Sequence, residues 1–287
     1  MYRHILVATG GSPWSEAAVG YAVVLAAQTG AVLKFLTVLT VEASYSMPDI
    51  AGASELVLDS IEREGEALLR QAAAQATQAG VAHTTQYAWG NIPQTILHTA
   101  TETACDLIVL GSRGTTGWKR LMLGNISNAV AAKAQQPTLL VKQLSSSMPL
   151  KSPWRRVLVA TGGSPWSDTA VDHALQLAHN QQFEVCLLHV ERRRRRGEDP
   201  AAAESKNILS LAETRAAAAG VPYHATLASG DIVEAILETA MQKQCDAIIV
   251  GSRGLTGWKR LMLGSISNAV AAKTQLPVLI VKRFLGA

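Results

Sequence analysis

A 23-residue block of this chain occurs twice. GSRGTTGWKRLMLGNISNAVAAK runs from Gly111 to Lys133, and GSRGLTGWKRLMLGSISNAVAAK runs from Gly251 to Lys273. They differ only at Thr115/Leu255 and Asn125/Ser265. A second pair, ILVATGGSPWSEAAVGYAVVLA from Ile5 and VLVATGGSPWSDTAVDHALQLA from Val157, is related by an offset of 152 rather than 140. The chain is therefore a duplication, and one half must fold as the other does. The first copy holds 12 extra residues, between Val38 (which matches Val190) and Gly80 (which matches Gly220). The stretch LSSSMPLKSP has the Ser and Pro content of a linker. We place the first domain at 1–143, the linker at 144–153 and the second domain at 154–287.

Each copy alternates apolar runs with helical patterns. In the first, HILVAT, VLKFLTVL, AHTTQYA, DLIVLG and PTLLVK read as strands. Ser15–Thr29, Ser54–Ala79, Ile92–Ala104 and Gly124–Gln135 read as helices. The second copy has its strands at Arg156–Thr161, Glu184–Val190, Tyr223–Ala228, Ala247–Gly251 and Val278–Lys282. Continuous Val/Ile/Leu strands alternating with helices imply a parallel sheet covered on both faces. The expected class is α/β: two repeats of a doubly wound, five-stranded parallel sheet of Rossmann-like or flavodoxin-like type. Ligands of such folds sit outside the carboxyl ends of the strands, where the strand order reverses.

The 287 residues are 48% hydrophobic and 17% charged, which suits two packed cores and argues against disorder. No stretch approaches the roughly 18 apolar residues of a membrane span. The opening MYRHILVATG is too short and strand-like for a signal peptide, so a cytoplasmic location is expected. Cys105, Cys186 and Cys245 have no CxxC spacing and read as buried thiols. The net charge of +4 comes from one cluster, Arg192–Arg196, rather than from a broad basic face, which argues against nucleic acid as a partner. That run follows the second strand of copy two. It reads as a solvated loop, as an anion-attracting flap, or as a docking patch for an acidic partner or membrane surface.

Two loops in each copy could carry chemistry. The first, Gly10-Gly11-Ser12-Pro13 and its twin Gly162-Gly163-Ser164-Pro165, reads as a strand-to-helix turn with a Ser N-cap and Pro at the first helical position. It carries neither GxGxxG nor GxxxxGK[ST]. The second follows the fourth strand: Gly111-Ser-Arg-Gly114, nine residues, then Gly124-Asn125-Ile126-Ser127, with its twin from Gly251 to Ser267. A glycine-lined loop returning to a helix start offers close backbone approach, free N–H donors and a partial positive charge to an anion.

This second loop resembles the G-x2-G-x9-G-[S/T] signature of the universal stress protein family. ATGGSPWS, IVLGSRG/IIVGSRG and PTLLVK/PVLIVK extend the resemblance over nearly all of both copies, as in tandem members. It implies binding of ATP or a related adenine nucleotide (ADP, AMP or cyclic AMP) with phosphates on this loop. The implied positions are Gly251, Arg253, Gly254, Gly264, Ser265, Ile266 and Ser267 in copy two. In copy one they are Gly111, Arg113, Gly114, Gly124, Asn125 and Ser127. Val38 and Val190 at the ends of the second strands, with Gly10 and Gly162, complete the implied set. Asn125 stands where the signature has Ser or Thr, which favours the second site. Gly10 and Gly162 stand where the family carries an Asp near the nucleotide. Binding is then expected at the phosphates, with weaker affinity, less dependence on Mg2+, or another nucleotide preference.

The resemblance also implies that the last strands, Thr138–Lys142 and Val278–Lys282, pair within the chain as an internal pseudo-dimer, with room for further homodimerisation. Trp118 and Trp258 read as packing anchors and His189 as a core histidine. Arg113 and Arg253 read equally as phosphate contacts or as surface ion pairs. No Ser/His/Asp, Cys/His or metal-ligand constellation is present. An adenine-nucleotide-binding regulatory protein is the leading reading. A non-binding interaction module and a slow ATPase or phosphotransferase remain the alternatives, the last lacking a water-positioning base and a metal clamp.

Overall fold

The structure, a computed structural model, describes residues 2–40, 51–113, 123–142, 154–191, 200–253 and 262–283. The expected linker, Arg192–Arg196, Trp118, Trp258, Gly114 and Gly254 lie outside the described residues.

The first repeat runs β1 (His4–Ala8), α1 (Pro13–Thr29), β2 (Val32–Leu39), α2 (Ala51–Gln78), β3 (His83–Trp89), α3 (Ile92–Glu102), β4 (Leu107–Gly111), α4 (Asn125–Lys133) and β5 (Thr138–Val141). The second runs β6 (Arg156–Thr161), α5 (Pro165–Gln181), β7 (Glu184–Glu191), α6 (Pro200–Ala218), β8 (Tyr223–Ser229), α7 (Ile232–Gln242), β9 (Ala247–Gly251), α8 (Ser265–Lys273) and β10 (Val278–Val281). Helix starts follow local chemistry. Ser12 and Ser164 cap α1 and α5 by accepting from the amides three residues on, with Pro next in line. Asn91 and Asp231 do the same for α3 and α7. Among the described residues, α2 has 28 residues against 19 in α6.

The strands form one ten-stranded sheet in the order β3-β2-β1-β4-β5-β10-β9-β6-β7-β8. Every pairing is parallel except the seam, where β5 and β10 run antiparallel with Leu139 opposite Leu279. The internal pseudo-dimer expected of the last strands is therefore present. It joins two sheet edges that would otherwise be open. The strands β4, β5, β9 and β10, in the middle, are buried along their whole length. Helices α1, α2, α5 and α6 cover one face, and α3, α4, α7 and α8 the other. Both apolar clusters run through the seam without interruption, so the halves share their cores.

Side chains cross the seam in matched pairs. The Tyr2 hydroxyl meets His173 Nε2 at 2.7 Å. Trp154 and His173 occupy the positions equivalent to Tyr2 and Tyr21, and the Trp154 indole meets the Tyr21 hydroxyl in the reciprocal contact. Burial holds the His173 ring neutral, with its pKa down at about 4. The three cysteines are buried free thiols, and His189 is buried with Nδ1 2.8 Å from the Thr161 carbonyl. Among the described residues no helix is long and apolar enough to cross a membrane.

Candidate functional site

Strand order reverses between β1 and β4, and again between β6 and β9. The carboxyl ends of these strands are therefore where a ligand crevice is expected. Both loops singled out in the sequence arrive there.

Gly111 and Gly251 set the geometry. A Cβ on Gly111 would lie 2.6 Å from the Trp14 carbonyl carbon and 2.7 Å from the Ser15 amide nitrogen. On Gly251 it would lie 2.5 Å from the Trp166 carbonyl oxygen. Bare glycine thus lets the end of β4 (or β9) touch the first turn of α1 (or α5). The loop that follows closes at its base. The Gly124 amide donates to the Ser112 carbonyl at 3.0 Å, and the Gly264 amide to the Ser252 carbonyl at 2.9 Å. Helices α4 and α8 start there with a glycine N-cap and no side-chain cap. Two helix N-termini, each a partial positive pole, converge at one strand end in each repeat.

Arginine adds charge. The Arg113 guanidinium lies 5.7 Å from the Trp14 ring centroid, and that of Arg253 lies 5.9 Å from Trp166. The Ser112 hydroxyl at the loop base is fully buried without a hydrogen-bond partner among the described residues. No cluster of His, Cys, Asp or Glu among the described residues could hold a metal.

The remaining expected residues take distinct places. Ser127 and Ser267 are buried, and their hydroxyls donate to the Gly111 and Gly251 carbonyls at 2.8 and 2.6 Å. In this state they tie each helix to its own strand. Asn125 and Ser265 are the first helical residues and stay exposed, while Ile126 and Ile266 pack on the apolar core. Val38 and Val190 lie near the carboxyl ends of β2 and β7, on the α3 and α7 side. Gly10 and Gly162 are exposed, and a Cβ on either would meet nothing within 4 Å. Their neighbours Gly11 and Gly163 carry φ of 71° and 69°, so the second glycine of each GG pair makes the turn.

Two residues escaped the sequence reading. Lys142, just past β5, is buried, and its ammonium donates to the Ala271 carbonyl in the last turn of α8. Lys282, just past β10, donates to the Ala131 carbonyl in α4, and to Ala132 at 3.1 Å. Burial first, then Arg113, brings Lys142 down to about 8. Burial and Arg253 do the same to Lys282. The only trace of them in the sequence is the polar end of TLLVK and VLIVK, which looks like an ordinary strand terminus.

The family model described as universal stress protein family matches residues 1–142 and again 153–282. The chain belongs to the universal stress protein family. Among relatives, Universal stress protein YxiE of Bacillus subtilis is 35% identical over 147 residues, 45% of this chain and 99% of its own length. Universal stress protein Mb2019 of Mycobacterium bovis is 26% identical over 305 residues, 97% of this chain and 94% of its own. In fold, a universal stress protein from Archaeoglobus fulgidus superposes with a TM-score of 0.76 at 24% identity, covering 98% of this chain and 96% of that one. The first relative thus has the length of one repeat, and the other two have the length of the tandem.

Proposed function

We propose that this universal stress protein binds an adenine nucleotide, ATP or a close relative, at the carboxyl edge of each repeat, more tightly in the second. The observation that carries the reading is the convergence of two helix N-termini on a glycine-packed strand end, with an arginine beside them. Such a place suits a polyphosphate: amide donors and two positive poles at one strand end, with an arginine two residues beyond it. Gly111, Arg113, Gly124, Asn125 and Ser127 form the first site, with Gly251, Arg253, Gly264, Ser265, Ile266 and Ser267 as the second. Gly114 and Gly254 belong to the same motif. Ser265 offers a compact hydroxyl where Asn125 presents a broader amide, which favours the second site.

With glycine at 10 and 162, no carboxylate from the opening loop faces the site. Binding is therefore expected without Mg2+, the phosphate charge being met by arginine and helix poles. A regulatory role is proposed over a catalytic one, since among the described residues no cluster of His, Cys, Asp or Glu is placed to clamp a metal for phosphoryl transfer. Calorimetry with ATP, ADP, AMP and cyclic AMP in EDTA tests the reading. Heat from at least one, with two sites per chain, is expected. Silence from all four at concentrations that detect a ~100 μM complex would overturn it in favour of a pure interaction module.

A further inference from the structure

The two lysines at the ends of β5 and β10 leave their own repeats. Lys142 belongs to the first, and its ammonium reaches the Ala271 carbonyl of α8. Lys282 belongs to the second and reaches the Ala131 and Ala132 carbonyls of α4. These carbonyls lie in the last helical turn, where no backbone donor remains to satisfy them. A cation there offsets the negative pole of the helix. Each lysine therefore completes the C-terminus of the helix whose N-terminus opens the other repeat's candidate site.

The same lysines answer to their own sites as well. The Ser112 amide, next to Arg113, donates to the Val141 carbonyl at 2.8 Å, and the Ser252 amide, next to Arg253, to the Val281 carbonyl at 2.9 Å, so each lysine directly follows the residue that anchors its own loop. Arg113 and Arg253 in turn disfavour the charge on Lys142 and Lys282 by repulsion. An anion arriving beside Arg113 relieves that repulsion and strengthens the hold of Lys142 on α8. Helices α4 and α8 are nine residues each, about 14 Å long. The path from one site to the other is thus two cations, one hydrogen bond and one short helix packed by one face on the sheet. It runs in both directions through the seam.

We propose that Lys142 and Lys282 couple the two nucleotide sites across the seam, so that an anion bound in one repeat tightens binding in the other. This rests on the glycine loops being the nucleotide sites. The coupling acts by positioning: neither lysine needs to touch the ligand it assists. By linkage it is reciprocal. The dipole effect of a terminal cation fades within a turn, so the coupling is carried by helix placement and is expected at the low end of allosteric couplings, about fivefold.

The test is ATP binding to the full chain by calorimetry in EDTA. Lys142→Met, Lys142→Arg and Lys282→Met are compared with the parent protein, and Gly124→Val and Gly264→Val block one site each to assign the other. Lys142→Met is expected to weaken the second-repeat site by about fivefold, with Lys142→Arg restoring it. Lys282→Met does the same to the first-repeat site. If Lys142→Met changes the first-repeat site alone, or neither site, while ATP still binds, the coupling is overturned and the nucleotide reading stands. If ATP binds nowhere in the parent protein, the nucleotide reading fails and takes the coupling with it. Should the methionine variants not fold, Gly124→Val decides alone. Blocking the first site must lower affinity at the second by a similar factor, and an unchanged second site refutes the coupling.

Discussion

Replacing Gly251 with Ala adds a single methyl group where the structure has no room. Its carbon would stand 2.5 Å from the Trp166 oxygen, 2.6 Å from the Trp166 carbonyl carbon and 2.9 Å from the Ser167 nitrogen. All three are backbone atoms in the first turn of α5, so no side chain can rotate away. That turn is held by the Ser164 cap and by the Ser167 hydroxyl on the Ser164 carbonyl at 2.8 Å. Relief requires β9 and α5 to part by a few tenths of an ångström or more, against close packing. Overpacking of this kind costs about 1–3 kcal/mol, and rigid backbone neighbours place it at the middle of that range or above. With a urea m-value of roughly 3 kcal/mol/M, a loss of about 2 kcal/mol lowers the midpoint by about 0.7 M. Gly162→Ala is the matched control, since its added carbon meets nothing within 4 Å. Its change should stay within about 0.5 kcal/mol. Urea unfolding of both variants, without ligand and followed by far-ultraviolet circular dichroism, separates them. Midpoints within about 0.2 M of each other, roughly 0.6 kcal/mol at that m-value, would refute the packing account. The loop glycine would then have to be explained by ligand approach alone.

Gly162→Asp should also fold normally, since the position is exposed and unobstructed. It puts a carboxylate beside the phosphates, so ATP should bind more weakly in EDTA and recover with Mg2+; binding indifferent to Mg2+ would place this loop away from the nucleotide. Ser267→Ala removes a buried 2.6 Å bond to the Gly251 carbonyl and should cost about 1 kcal/mol in the absence of any ligand. An unchanged urea midpoint would show that this hydroxyl does not support the fold. His173 titrates at about 4 in the folded chain against 6.5 in its ordinary state. Between those values the unfolded chain holds the extra proton, so the His173 contribution to stability is complete above pH 6.5 and declines as pH falls toward 4. The slope approaches about 1.4 kcal/mol per pH unit. His173→Gln should flatten the stability profile there, and an identical profile would remove His173 from the account.

Much of the fold was legible because duplication shows each element twice. The alternation of apolar runs and helical patterns named the parallel sheet, and Ser-Pro marked where α1 and α5 begin. Boundaries shifted by a few residues: α2 already includes Ala51, ahead of the expected Ser54, and α4 ends at Lys133 rather than Gln135. The glycine loop was legible as a motif, but one spacing pattern served two physical purposes. Gly111 and Gly251 are required by helix contact, and Ser127 and Ser267 by a strand carbonyl; neither demand can be told from phosphate binding in the sequence. Lys142 and Lys282 were invisible for a different reason. Their partners lie 129 and 151 residues away, across a pairing that only the tertiary structure creates.

The seam also explains what fusion of two copies into one chain permits. In a symmetric dimer of separate chains, a residue facing the dyad must suit its own copy's partner position, so both contacts change together. Here the equivalent positions have diverged. The first repeat contributes Tyr2 and Tyr21, the second Trp154 and His173, and each contact joins unlike residues. The lysines, by contrast, are the same in both repeats and make the same reach. The aromatic end of the interface is thus specific to this one pairing of unlike halves, while its charged end keeps the symmetry of a dimer. Asn125 opposite Ser265 is a difference of the first kind, lying within the candidate sites themselves. A chain built this way can hold two unequal sites against a seam that treats them alike, which is the arrangement in which filling the stronger site can assist the weaker.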